Sequence, residues 1–218
     1  MAAHCHRVLL QSVVSTRIAQ TALILLALVA GATAQSRVAP GPPVSAYSPT
    51  FDVSCGYAFM SSSIPSASRI MLNGADASIG TDFLPHWGIT LDTGYVRTSD
   101  VLSTGHPGYT WTFLGGPVFY PLAHGSTRPF LRAMAGAGMV DSAVPVSGGT
   151  YVHGWVERPA YSIGGGIQHS FVGPLGIRVG GDYIRTAYAD ATSTVRAQNN
   201  FRLTASVLLR LHYGGHRE

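Results

Sequence analysis

Lysine is missing from this sequence, and charge of either sign is scarce. Asp, Glu, Lys and Arg make up 11% of the 218 residues, against ~25% in an ordinary soluble domain. A water-soluble chain needs that charge for its outside, so the shortage argues against one. The formal net charge is only +4, and the arginines are scattered singly, which excludes the basic stripe of a nucleic-acid surface. Cysteine is nearly as rare. Of the two, Cys5 precedes the first apolar run and Cys55 stands alone after it, so no disulfide framework forms within the chain that follows. After the first thirty-odd residues no apolar run approaches the ~20 residues of a transmembrane helix. The histidines form no spaced metal motif, and Gly164–Gly165–Gly166 leads into no helix, so it is no phosphate loop. His169 and Ser170 are adjacent, which puts them on opposite faces of a strand and rules them out as a base and nucleophile pair. No cofactor is implied.

What is present falls into four segments. Residues 1–34 read as a secretory signal: Arg7 and Arg17 supply the basic start, "IAQTALILLALVAGATA" the apolar core, and Ala32-Thr33-Ala34 a small-x-small cleavage site. Residues 35–49, "QSRVAPGPPVSAYSP", form a short Pro-rich linker. Residues 50–213 are one train of alternating segments, and residues 214–218 are a tail. Glycine is abundant at 26 residues and aromatics reach 10%.

The alternation is clearest at the end. From Phe201 to Tyr213, Phe201, Leu203, Ala205, Val207, Leu209, Leu211 and Tyr213 share one face, while Arg202, Thr204, Ser206, Leu208, Arg210 and His212 share the other. Period two means a β-strand. Eight such strands are expected, at about Phe51–Met60, Arg69–Phe83, Trp87–Arg97, Tyr109–Tyr120, Phe130–Val140, Tyr161–Phe171, Leu175–Thr186 and the stretch from Phe201. Short connections (84–86, 121–128, 173–174) alternate with long polar ones (61–68, 98–108, 141–159, 187–199). That alternation, around an even number of ~10-residue strands, predicts an all-β, eight-stranded, antiparallel up-and-down transmembrane barrel.

The wordings "YTWTFLGGPVFYP" and "QNNFRLTASVLLRL", with the signal segment and eight Gly-rich strands, resemble the small bacterial outer-membrane β-barrels, similar in plan to the OmpA and OmpX barrels. The resemblance covers about residues 50–213. It implies an address in the Gram-negative outer membrane and a closing aromatic such as Tyr213. The partners expected are outer-membrane lipid and lipopolysaccharide, together with the barrel-assembly machinery. It implies no catalytic activity.

In such a barrel the apolar faces meet lipid and the polar faces meet a narrow lumen that side chains can fill. By parity Asp52, Asp76, Asp92, Arg132, Arg178, Asp182, Arg202 and Arg210 then share the lumen as a paired charge network, since buried charges persist when paired. Glycines 136, 138, 164, 166 and 180 are expected to make room for it. Aromatics on the outward parity gather toward the two strand ends, as interfacial girdles do. Arg97 and Arg185 interrupt the lipid face at the long-loop end, within reach of head-group phosphates. The longest connection, 141–159, offers Tyr151, His153 and Trp155 as a possible interaction tip. The function expected is a non-catalytic structural or surface-interaction role with an unknown surface ligand. The alternatives are a small-solute channel and a soluble periplasmic lipocalin-like carrier, the latter with the faces reversed.

Overall fold

The computed structural model describes residues 49–63, 69–101, 105–122, 125–146, 150–171, 173–189 and 195–212. The signal segment, all of the linker but Pro49, Tyr213 and the tail lie outside them. Eight strands follow in order: β1 (Thr50–Ser62), β2 (Ile70–Leu84), β3 (Trp87–Thr98), β4 (Gly108–Phe119), β5 (Thr127–Val146), β6 (Thr150–Ser170), β7 (Leu175–Ala189) and β8 (Val195–His212). Each pairs antiparallel with the next, and β8 pairs with β1 to close the barrel. A line drawn along cross-strand partners from Arg158 of β6 passes through all eight strands and returns to β6 at Gln168, ten residues further on. That stagger is the tilt a closed barrel requires.

Burial follows the two-residue period around the ring. Along β8 every residue from Phe201 to Arg210 alternates exposed and buried. Ile163 is 65% exposed and Val207 58%, whereas Arg202 and Asp182 are fully buried. The large apolar side chains are therefore outside and the charged ones inside. A soluble barrel with an apolar core, and with it a lipocalin-like carrier, would show the reverse.

Backbone hydrogen bonds tie down the short turns. Gly173 adopts a positive φ of 83°, a conformation that costs glycine little. Around it the Phe171 amide donates to the Leu175 carbonyl at 2.8 Å. At the β2–β3 end the Tyr120 amide donates to the His86 carbonyl at 2.8 Å.

The structure corrects the reading of the long connections. Residues 141–146 and 150–159 are strand, paired with each other out to Val146–Thr150. Tyr151, His153 and Trp155 therefore lie on β6 and not in a loop. Residues 187–189 and 195–199 likewise extend β7 and β8. Alternation seen from one strand alone misses these extensions: on β6 Gly154, Trp155, Glu157, Arg158 and Pro159 are all exposed, so no two-residue period marks them. Among the described residues β6 pairs with β7 only as far as Tyr161–Arg185, so there its outer part has no partner on that side. Pro159 stands in that part, where a missing N–H discourages pairing with another chain.

Candidate functional site

The lumen concentrates what chemistry the described residues hold. At the short-turn end Asp82 of β2 meets Arg128 of β5 at 3.0 Å and accepts from the Thr50 hydroxyl at 3.1 Å. The Arg128 guanidinium lies 4.0 Å over the Tyr120 ring. This rim pair was not expected from sequence. Asp82 has inward parity, but Arg128 falls in a segment that reads as a turn.

One layer in, Asp52 accepts from Arg210 Nε and Nη2, both at 2.9 Å. It also accepts from Arg178 Nη2 at 3.3 Å. Arg178 donates further to Gln168 Oε1 at 2.8 Å and Ser78 Oγ at 3.2 Å. The Phe130 ring separates this layer from the next, with the Arg178 and Arg132 guanidinium carbons 5.5 and 5.7 Å from its centroid.

At the centre two arginines share two aspartates. Arg132 donates to Asp182 through Nε at 2.8 Å and through Nη2 at 2.5 Å, and to Asp92 at 3.3 Å. Arg202 reaches Asp92 at 2.8 Å and Asp182 at 3.1 Å. Gly94 matters here, because a Cβ on it would lie 2.6 Å from Arg202 Nη1. Asp76 differs from the other expected members. It accepts from the Ser206 hydroxyl at 3.0 Å, and no arginine lies within ion-pair distance of it among the described residues. Among the described residues the inward strand faces thus hold five buried aspartates and five buried arginines, and Asp141 is a sixth buried aspartate at the mouth.

The expected glycines divide: Gly164 does make room for the network, since a Cβ on it would strike the Asp182 carboxylate, while others serve the backbone. A Cβ on Gly136 would strike the Phe113 carbonyl oxygen, and one on Gly166 the Val179 carbonyl oxygen. These residues let neighbouring strands approach closely. Room for Arg202 comes from Gly94.

Toward the loop end the lumen changes character. Ala58, Met60, Leu72, Val96, Leu114, Met134, Ala160 and Ile184 form a dry apolar plug. All have inward parity, so the sequence carried this signal, but attention to charge passed over it. Above the plug Asn200 donates to the Thr186 hydroxyl at 2.8 Å, which donates to Gln198 at 3.2 Å. The cavity beside Phe130, lined by Thr90, Tyr120, Arg132 and Arg178 among others, is about 10 Å³, about the volume of one water site. A second, near the mouth at Ser62, Thr110 and Gln198, is about 30 Å³. Neither is a bore.

No group of three metal-ligating side chains occurs among the described residues. Outside the barrel, Trp155 is half exposed and stacks on Tyr109 at 6.4 Å. Tyr109 stacks on Tyr95 at 6.3 Å, and Tyr95 lies 4.7 Å from Trp111. These rings, with Tyr161, Tyr183 and Phe201, form an aromatic belt at the loop end, while Trp87, Phe119 and Phe171 form one at the other. His169 bonds to Thr127 and Ser170 to Arg210, so the two adjacent residues do turn to opposite sides.

No protein-family model matches the chain, and no curated protein matches it. Solved structures do. Neisserial surface protein A shares 14% identity over 73% of this chain and 96% of its own length, with a TM-score of 0.58. The outer membrane protein OprG from Pseudomonas aeruginosa shares 9% identity over 76% of this chain and 97% of its own, with a TM-score of 0.50. At these identities the likeness is one of fold.

Proposed function

We propose that this chain, by fold and surface a bacterial outer-membrane β-barrel, works as a closed, non-catalytic structural and surface-interaction protein rather than as a pore. The carrying observation is the filled lumen: ion pairs in the lower part, the Met60–Leu72–Leu114 plug above, and cavities of water size. Eight strands enclose a space that side chains fill, and open aqueous channels use about 16 or more. Interaction then falls to the loop end, where the β5–β6 hairpin extends β6 eleven residues beyond its last β7 partner. In this reading lipid and lipopolysaccharide surround the barrel, and the barrel-assembly machinery inserts it.

Planar-bilayer recording of the purified, monodisperse barrel tests the proposal. The expected record is silent or shows only brief, small events. Stable openings on the nanosiemens scale would establish a small-solute channel instead.

A further inference from the structure

The ten arginines among the described residues divide cleanly. Five are buried in the lumen, and the other five, Arg69, Arg97, Arg158, Arg185 and Arg196, are exposed and all lie at the loop end. Two of these, Arg97 and Arg185, point outward from the barrel wall itself, and the cross-strand register gives them matching neighbours. Arg97 of β3 stands opposite Asn73 of β2 on one side and Tyr109 of β4 on the other. Arg185 of β7 stands opposite Tyr161 of β6 and Asn199 of β8. Both sets read Asn, Arg, Tyr across three adjacent strands, in mirror order, on opposite sides of the ring. Directly opposed residues on one face have Cβ atoms ~5 Å apart, so the three side chains of each trio leave the wall side by side, with Asp141 the next residue along the register beyond Tyr109.

The heights match too. Arg97 is ten residues above Trp87 at the start of β3, and Arg185 ten above Leu175 at the start of β7. Ten residues at ~3.3 Å each, tilted by ~40°, rise about 25 Å, the thickness of an outer-membrane barrel's apolar band. Both arginines therefore stand at the interface of one leaflet only. On the other side of the band no arginine is exposed among the described residues.

Local contacts prepare the trios. The Tyr57 hydroxyl donates to Asn73 Oδ1 at 2.5 Å, which leaves the Asn73 Nδ2 donors turned away from that bond. The Asn199 carbonyl accepts from the Ser63 amide at 3.0 Å and the Ser63 hydroxyl at 2.9 Å, which anchors that strand position. Neither the Arg97 nor the Arg185 guanidinium has an ion-pair partner among the described residues. A planar guanidinium flanked by an amide donor and a phenol suits a tetrahedral oxyanion, which it grips through two parallel N–H bonds.

We propose that each trio, Arg97–Asn73–Tyr109 and Arg185–Asn199–Tyr161, binds a phosphate group of an outer-leaflet glycolipid, so that the barrel carries two such lipids on opposite sides. The proposal rests on the membrane reading above, which places the loop end in the outer leaflet.

The test counts lipids on the intact barrel. Native mass spectrometry of detergent-held protein with bis-phosphorylated lipid A is expected to show two retained lipids. Arg97→Gln and Arg185→Gln should each retain one, and the double variant none. Dephosphorylated lipid A should be retained at neither site, and inorganic phosphate alone should not bind saturably. Two lipids on the double variant, or equal retention of the dephosphorylated lipid, would overturn the proposal. Saturable free phosphate at both trios would reassign them to a soluble ligand and overturn it as well. Insertion of each variant into phospholipid vesicles is measured alongside. Wild-type protein that stays in the aqueous phase refutes the membrane reading, whereas variants that insert normally while the double variant keeps its lipids refute the two sites alone.

Discussion

Below and around Phe130 the lumen is filled by ion pairs, and from Ala58 to Ile184 by hydrocarbon. Both layers exclude water from the same narrow space, but they tie the barrel together differently. Backbone ladders join only neighbouring strands. Arg132 of β5 bonds across the lumen to β3 and β7, and Arg202 of β8 bonds to the same two strands. The ion layer is a directional brace across the diameter, in which every guanidinium depends on carboxylates at fixed positions. The apolar layer has no such addresses, so it tolerates a change of shape if volume is kept. Removing one buried partner from the first strands a charge, while trimming the second leaves a void.

The largest expected effect breaks the ion layer. Arg202→Leu leaves Asp92 and Asp182 sharing only Arg132, and urea unfolding in detergent should show a loss of roughly 3–5 kcal/mol. An unchanged midpoint would mean the pairing contributes nothing. The exterior offers a contrast, because there charge meets lipid with no partner. Leu91→Arg, on the outward face of β3, should cost about 2–4 kcal/mol near the midplane, read from folding into bilayers. Insertion equal to wild type would mean the faces are reversed. In the plug, Leu72→Ala should cost about 2–3 kcal/mol, since flexible Met60 and Met134 can partly fill the void. Leu72→Met should cost under about 1.5 kcal/mol. If Leu72→Met destabilised as much as Arg202→Leu, the difference between the two layers would disappear.

Much of this was legible in the sequence, for a physical reason. A barrel wall has one wet and one lipid-facing side, so each strand writes its orientation in period two, and parity alone placed Asp52, Asp92, Arg132, Arg178, Asp182, Arg202 and Arg210 in one space. Parity does not say who pairs with whom. That depends on stagger, which is why Asp76 reads as a network member yet meets Ser206. Boundaries were least legible where the two-residue period is lost, as along Gly154 to Pro159 of β6. The strand character of Tyr151 to Trp155 was hidden for that reason, and Arg128, two residues into β5, passed for part of a turn. The Asn–Arg–Tyr trios were invisible in the chain because their members are brought together only by the register of three strands.

The central claim is that the charged faces are enclosed and paired. A double-mutant cycle on Arg202 and Asp92, whose side chains meet at 2.8 Å, tests it most directly. Stabilities of the wild type, Arg202→Leu, Asp92→Leu and the double variant are measured by urea unfolding in one detergent. Enclosed, bonded partners should couple by about 2–3 kcal/mol, with the double variant markedly less damaged than the sum of the singles. Effects that add to within ~0.5 kcal/mol, as for distant independent sites, would contradict the account.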